Sequence, residues 1–101
     1  MANLKVVVPH QLDKVVAYDR LRVYSDQVRG DFAAQVTHVE EHWSDDGIAT
    51  FSFRLMGFRV SGTTTTLEDQ VLVAIDLPFA AIPIRGLIEK EIVTRIQTAL
   101  G

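Results

Sequence analysis

The chain of 101 residues contains no cysteine, only three prolines and a single tryptophan. Without thiols there can be no disulfide framework, no cysteine nucleophile and no cysteine-ligated zinc. That composition suits a reducing cytosol, and a cytoplasmic protein is expected. No apolar run is long enough to span a bilayer. Met1 to Val8 carry an apolar patch but no basic lead, long apolar region or small-residue cleavage site, so no signal peptide is expected. Basic blocks are missing too, and the net charge is −3. A protein that tracks phosphates needs clustered Lys and Arg, so nucleic acid is not the expected partner. No Gly-rich phosphate loop is present, and Ser25, Ser44, Ser52 and Ser61 lack a nucleophile-elbow context. At 48% hydrophobic residues the chain is too apolar for disorder. Its length suffices to bury roughly two thirds of the unfolded surface, so residues 1–101 are expected to form a single domain.

What the sequence does contain is a strongly patterned stretch from Ile48 to Leu77. Ala49, Phe51, Phe53 and Leu55 alternate with Thr50, Ser52 and Arg54, the period of a half-buried strand. Met56-Gly57 makes a tight turn. A hairpin closed there sets Phe58, Val60 and Gly62 opposite Leu55, Phe53 and Phe51. After the polar loop 67–70, Val71, Val73, Ile75 and Leu77 fall on the same face. Gly62 then lies between Phe51 and Ile75, where a missing side chain leaves room for a ring. A slip of one residue would turn the whole apolar set into water, so the register is well specified.

The flanking segments complete the pattern. Leu4 to Val8 form a short strand ended by Pro9. Residues 12–32 read as a helix, with Asp13 suited to its first turn and Gly30 near its end. At about 100° per residue, Ala17, Leu21, Tyr24, Val28 and Phe32 form one apolar stripe. Leu12, Val15, Val16 and Val23 form a second stripe on nearly the opposite side. A helix lying on a sheet needs only one such stripe. The second is covered by further protein, left for a partner, or partly drawn into the core by an irregular first turn. Residues 34–43 read as a strand whose Val36 and Val39 have opposite parity, which predicts a bulge or an edge position. Ser44 to Gly47 form a turn. The apolar connector from Leu77 to Ile84, broken by Pro78 and Pro83, reads as neither helix nor regular strand. From Arg85 or Gly86 to Leu100 the spacing of Ile88, Ile92, Ile96 and Ala99 predicts an amphipathic helix.

The order strand, helix, four strands, helix predicts an α+β two-layer sandwich, an antiparallel sheet with both helices on one face. This is the element order of the TATA-binding-protein-like fold and of a reduced START-like core, an analogy that carries no function.

Candidate chemistry is sparse. His38, Glu40 and His42 have the spacing that points three possible metal ligands to one side of a strand. The outer two would stand about 13 Å apart, too far for one zinc ion at ~2.1 Å per ligand. A solvated strand is the simpler reading, and no metal, cofactor or catalytic residue is assigned. His10, at a strand-to-helix junction, fits a turn-bonding role. Asp45, Asp46, Glu68 and Asp69 are explained by two hairpin turns. Arg54, Arg59 and Arg85 form at most a small cationic patch. Two apolar surfaces remain, the second helix stripe and the connector. Phe79, Ile82 and Ile84 of the connector can plug the open end of the sandwich; left outside, Phe79 and Ile82 would join the partner surface.

With these residues laid out, the chain resembles the polyhydroxyalkanoic acid system family, the polyhydroxyalkanoate granule-region domain of bacteria. The resemblance runs through Pro9-His10 after the first strand, Ala17 and Leu21, Trp43 followed by Asp46, Phe51, and Met56-Gly57 to Gly62. Leu77-Pro78 before the connector and Ile88-Glu89 in the last helix complete it. Val15, Val16 and Val23 depart from it, standing where charged positions are expected. The resemblance implies an accessory or granule-associated role and no established reaction. A non-enzymatic binding protein follows, forming a homodimer or other homo-oligomer or binding polyhydroxyalkanoate granules or their proteins. A carrier of small apolar ligands, START-like with a cavity of ~300 Å³ or more, is the alternative.

Overall fold

A computed structural model describes residues 2–101, with side chains described from Leu4 onward. Five strands and two helices follow one another as β1 (Ala2–Pro9), α1 (Lys14–Asp31), β2 (Val36–Trp43), β3 (Ile48–Leu55), β4 (Phe58–Thr66), β5 (Gln70–Leu77) and α2 (Arg85–Leu100). The strands make one antiparallel sheet in the order β1-β5-β4-β3-β2. The expected α+β sandwich is therefore the observed fold. The first strand lies at one edge and the second at the other, so α1 must cross the sheet to join them.

The register follows the apolar parity. Phe51 pairs with Gly62, Phe53 with Val60 and Leu55 with Phe58; Gly62 pairs in turn with Ile75. Met56 and Gly57 both have positive φ, 53° and 83°. That is the two-residue hairpin loop whose twist matches the strands it joins. On the inner face Leu4, Val6, Val8, Val60, Val71, Val73, Ile75 and Leu77 are buried together with Leu21 of α1 and Ile96 of α2. Each such aliphatic side chain stabilises the fold by about 1.5–3 kcal/mol relative to leaving it in water. Ala17, fully buried, lets α1 approach closely. Tyr18 donates from its hydroxyl to the Ser44 carbonyl at 2.6 Å and its ring tilts onto Trp43 at 5.4 Å. These contacts hold α1 to the β2–β3 turn. Arg95 ties the helices together, with Asp31 and Glu91 each at 2.8 Å and the Phe32 ring 4.9 Å below its guanidinium.

Strand β2 is an edge strand and also bulged. Thr37 faces Arg54 while Glu40 faces Ser52, so His38 and Val39 together oppose one residue. His38 takes φ of 54° at that point. The clash of parity between Val36 and Val39 is resolved by this extra residue.

Two boundaries differ from the sequence reading. The first helix starts at Lys14, because Asp13 accepts from the Val15 amide at 2.9 Å and acts as its cap. Leu12 therefore precedes the helix, half-buried, and does not belong to the outer stripe. The connector is not irregular: Phe79–Ile84 is a 3-10 turn, entered after Pro78. It plugs the core through Ala81, 1% exposed, and partly through Ile84, whereas Phe79 is 68% and Ile82 45% exposed. Three residues per turn bring only one side of so short a segment onto the core, so the expected plug fails at Phe79 and Ile82.

Candidate functional site

Three surfaces carry the residues that chemistry or binding could use. The first is the outer face of the sheet, which neither helix covers. One row across all five strands runs Lys5, Ala74, Thr63, Thr50 and His42. The next contains Asp76, Ser61, Ser52 and Glu40. Side chains of alternate residues share a face, so the two rows wall a trough. Its floor is the backbone of Ile75, Gly62, Phe51 and Glu41, of which Ile75, Phe51 and Glu41 turn their side chains inward. These residues line a groove of about 660 Å³. Four hydroxyls, from Thr50, Ser52, Ser61 and Thr63, dominate its middle. Among the described residues none of them is hydrogen-bonded to another side chain, so no base stands ready to activate one. The groove can hydrogen-bond a polar ligand; it does not present a nucleophile paired with a base.

The metal candidates fare differently from one another. Glu40 and His42 stand at one end of this groove, on adjacent rows. The bulge removes His38 from that alignment, and its Nδ1 lies 3.1 Å from Thr37 Oγ1. Among the described residues no three histidine or carboxylate side chains come together as a metal site would require. Glu41, of opposite parity, turns inward and pairs with Arg29 at 3.1 Å. The guanidinium of Arg29 is pushed above its ordinary value by its hydrogen bond to Asp26 and then by the charge of Glu41. Arg95 is raised as well, by the hydrogen bond to Glu91 first and by Tyr24 and Asp31 after it.

His10 is fully engaged. Its Nε2 donates to the Leu67 carbonyl at 2.8 Å and its Nδ1 accepts from the Leu12 amide at 3.1 Å. The second of these requires a bare Nδ1, so the ring is the neutral Nε2–H tautomer. It ties the β1–α1 junction to the β4–β5 turn.

The second surface is the outward side of α1. Val15 is 66%, Val16 42% and Val23 73% exposed, while Ala17 and Leu21 on the opposite side are buried. Val23 also borders a shallow groove of about 370 Å³ with Tyr24 and Ala99, between the two helices. The third surface is the end of the molecule that carries Met56, Phe79, Ile82 and Leu87, all exposed.

The hydroxyl-lined groove is the surface that the sequence reading does not assemble. Its signal is present, since Thr50 and Ser52 fall on the outer parity of β3. Only the register of the neighbouring strands aligns them with Ser61 and Thr63.

Fold and surfaces together define a small α+β sandwich with a covered face, an open face and apolar side chains left outside. This chain belongs to the family described as putative polyhydroxyalkanoic acid system protein, whose model matches residues 4–100. Among solved structures it is similar to TTHA0849 from Thermus thermophilus, at 12% identity over 98% of this chain and 94% of the other, with a TM-score of 0.48. A search of curated proteins finds none that matches. No helix among the described residues is long and apolar enough to cross a membrane.

Proposed function

We propose that this protein is a non-catalytic, cytoplasmic accessory component of the polyhydroxyalkanoate system that works by binding, and that the outward face of α1 joins two copies of the chain. The observation that carries this reading is the exposure of Val15, Val16 and Val23 on a helix already anchored through its other side. An exposed valine gains nothing from burial and is a poorer helix former than Lys, Glu or Ala. Three on one helix are therefore a local cost unless another surface covers them. Two copies meeting through the same patch form a two-fold contact, the commonest kind of oligomer. Granule binding through this face is the other outcome that the family context supports.

The test is the double variant V16D/V23D, compared with the parent by light scattering and by co-sedimentation with polyhydroxyalkanoate particles. The parent is expected to dimerise, and the variant to be monomeric, folded and cooperative in unfolding, without the parent's concentration-dependent midpoint. A variant that unfolds would make the valines part of the core and end the proposal. So would a parent that stays monomeric at every concentration and leaves the particles unbound.

The ligand-carrier reading has less behind it. Leu4, Val6, Val73, Ile75, Leu21 and Ile96 fill the layer between sheet and helices, and both grooves open to solvent instead.

A further inference from the structure

We propose that the end of the molecule formed by the β3–β4 turn and the 3-10 turn is a docking surface for an anionic lipid interface. Chain topology puts three connections there: α1 to β2, β3 to β4, and β5 to α2. Residues 32–37, 54–60 and 77–88 build this end, and their only charged side chains are Arg54, Arg59 and Arg85. The opposite end holds the β1–α1 junction and the other two hairpin turns. Residues 10–13, 44–47 and 67–70 supply Asp13, Asp45, Asp46, Glu68 and Asp69, against one cation, Lys14, whose side chain reaches Gly47. Charge is thus segregated along the strands, basic at one end and acidic at the other.

The same end carries exposed apolar side chains. Met56 is 74%, Phe79 68%, Ile82 45% and Leu87 71% exposed. Arg54 and Arg59 stand directly opposite each other across β3 and β4. Like charges so placed repel, which disfavours the sheet. Among the described residues none of the three arginines makes an ion pair. The next row in on that face holds two carboxylates, Asp76 opposite Ser61 and Glu40 opposite Ser52, and neither is paired with these arginines. Two opposed cations that pair with neither carboxylate are free to bind an anion from outside.

Exposed apolar side chains and unpaired arginines at one end are the composition of a surface that rests in a lipid headgroup layer. The apolar groups enter the acyl boundary and the guanidinium groups bind phosphate. The acidic end would be repelled by the same surface, which orients the molecule end-on. Three arginines, two on the sheet and one opening α2, do not form the continuous basic track that nucleic acid needs. This surface shares no residue with the outward face of α1, so either can fail without the other.

The experiment is sedimentation of the full chain with vesicles of phosphatidylcholine alone and of phosphatidylcholine and phosphatidylglycerol in equal parts. Binding is expected to the mixed vesicles only and should weaken as salt is raised. At about fivefold per arginine, R54Q/R59Q/R85Q should lower partitioning on the order of a hundredfold. M56S/L87S, which alters only exposed apolar groups, should weaken it while the charge is unchanged. Circular dichroism of each variant establishes that it is folded. No binding to the mixed vesicles, equal binding to both kinds, or full binding by the arginine variant would each overturn the proposal. Should the arginine variant not fold, full binding by M56S/L87S would do the same.

Discussion

The ring of Phe51 lies across Gly62 on the neighbouring strand. A Cβ built at Gly62 would stand 2.7 Å from Phe51 Cζ and 2.6 Å from the Ala74 carbonyl oxygen. The ring continues into Phe53, stacked at 6.2 Å with 16° between the planes. A glycine in a central strand, normally a weakness, here makes the space that an aromatic side chain fills. Gly62→Ala is expected to cost about 1–3 kcal/mol, the range of an overpacked core, measured by urea unfolding. F51L/G62A should recover only part of this, because the Ala74 oxygen belongs to the ladder and cannot withdraw. Stability of Gly62→Ala equal to the parent's would mean that the ring is not where the structure puts it.

Thr66 is wholly buried, and its Oγ1 has no hydrogen-bond partner among the described residues. Its backbone amide is satisfied by the Gly47 carbonyl at 2.9 Å, so the strand end does not depend on the hydroxyl. Desolvating an unpartnered hydroxyl is unfavourable, and valine has the same shape without it. Thr66→Val should therefore stabilise the protein by about 1 kcal/mol, seen as a higher denaturant midpoint with an unchanged slope. A loss of stability instead would reveal a partner for the hydroxyl, such as a buried water.

These two residues show how far the sequence can be read. Period-two alternation and the Met56-Gly57 turn together determine which side chains meet across β3, β4 and β5, so the Phe51–Gly62 pairing is legible from the residues alone. The bulge is legible as well, since Val36 and Val39 cannot share a face on a regular strand. The 3-10 turn is not. Two prolines forbid a regular helix or central strand, yet which of Phe79, Ala81, Ile82 and Ile84 turns inward depends on the curvature of a sheet formed elsewhere. The open groove escapes the sequence for another reason. Serine and threonine at alternate positions look like ordinary outward-facing strand residues until five strands are laid in register. The dual character of α1 is visible as two stripes, but Leu12 is excluded from the second by the Asp13 cap and by the bond that its own amide donates to His10.

That bond makes His10 a structural residue with a testable protonation pattern. Nε2 holds the Leu67 carbonyl and Nδ1 the Leu12 amide, joining segments 57 residues apart. Nitrogen-15 NMR should find the neutral Nε2–H tautomer; the Nδ1–H form would contradict the geometry. His10→Ala removes both bonds and leaves part-buried backbone groups without partners. A loss of about 1–2 kcal/mol is expected, since each bond contributes roughly 1 kcal/mol.

Asp46 sets how the acidic end responds to pH. Its carboxylate accepts a hydrogen bond from the Ser44 hydroxyl, which is the main cause holding its pKa below the ordinary value of 3.8; two backbone bonds and the charge of Lys14 act in the same direction. A carboxyl whose folded value lies below its unfolded value binds protons more readily when unfolded. Its contribution is complete above the unfolded value, near 4, and disappears as pH falls through the lowered folded value. Asp46→Asn should consequently lower the denaturant midpoint at neutral pH and lose less stability than the parent as pH falls below about 4. Because the side chain is exposed, added salt changes this little if the Ser44 bond is the cause, and much if the charge of Lys14 is. Parallel pH curves for variant and parent would show that the Ser44 bond does not persist in solution.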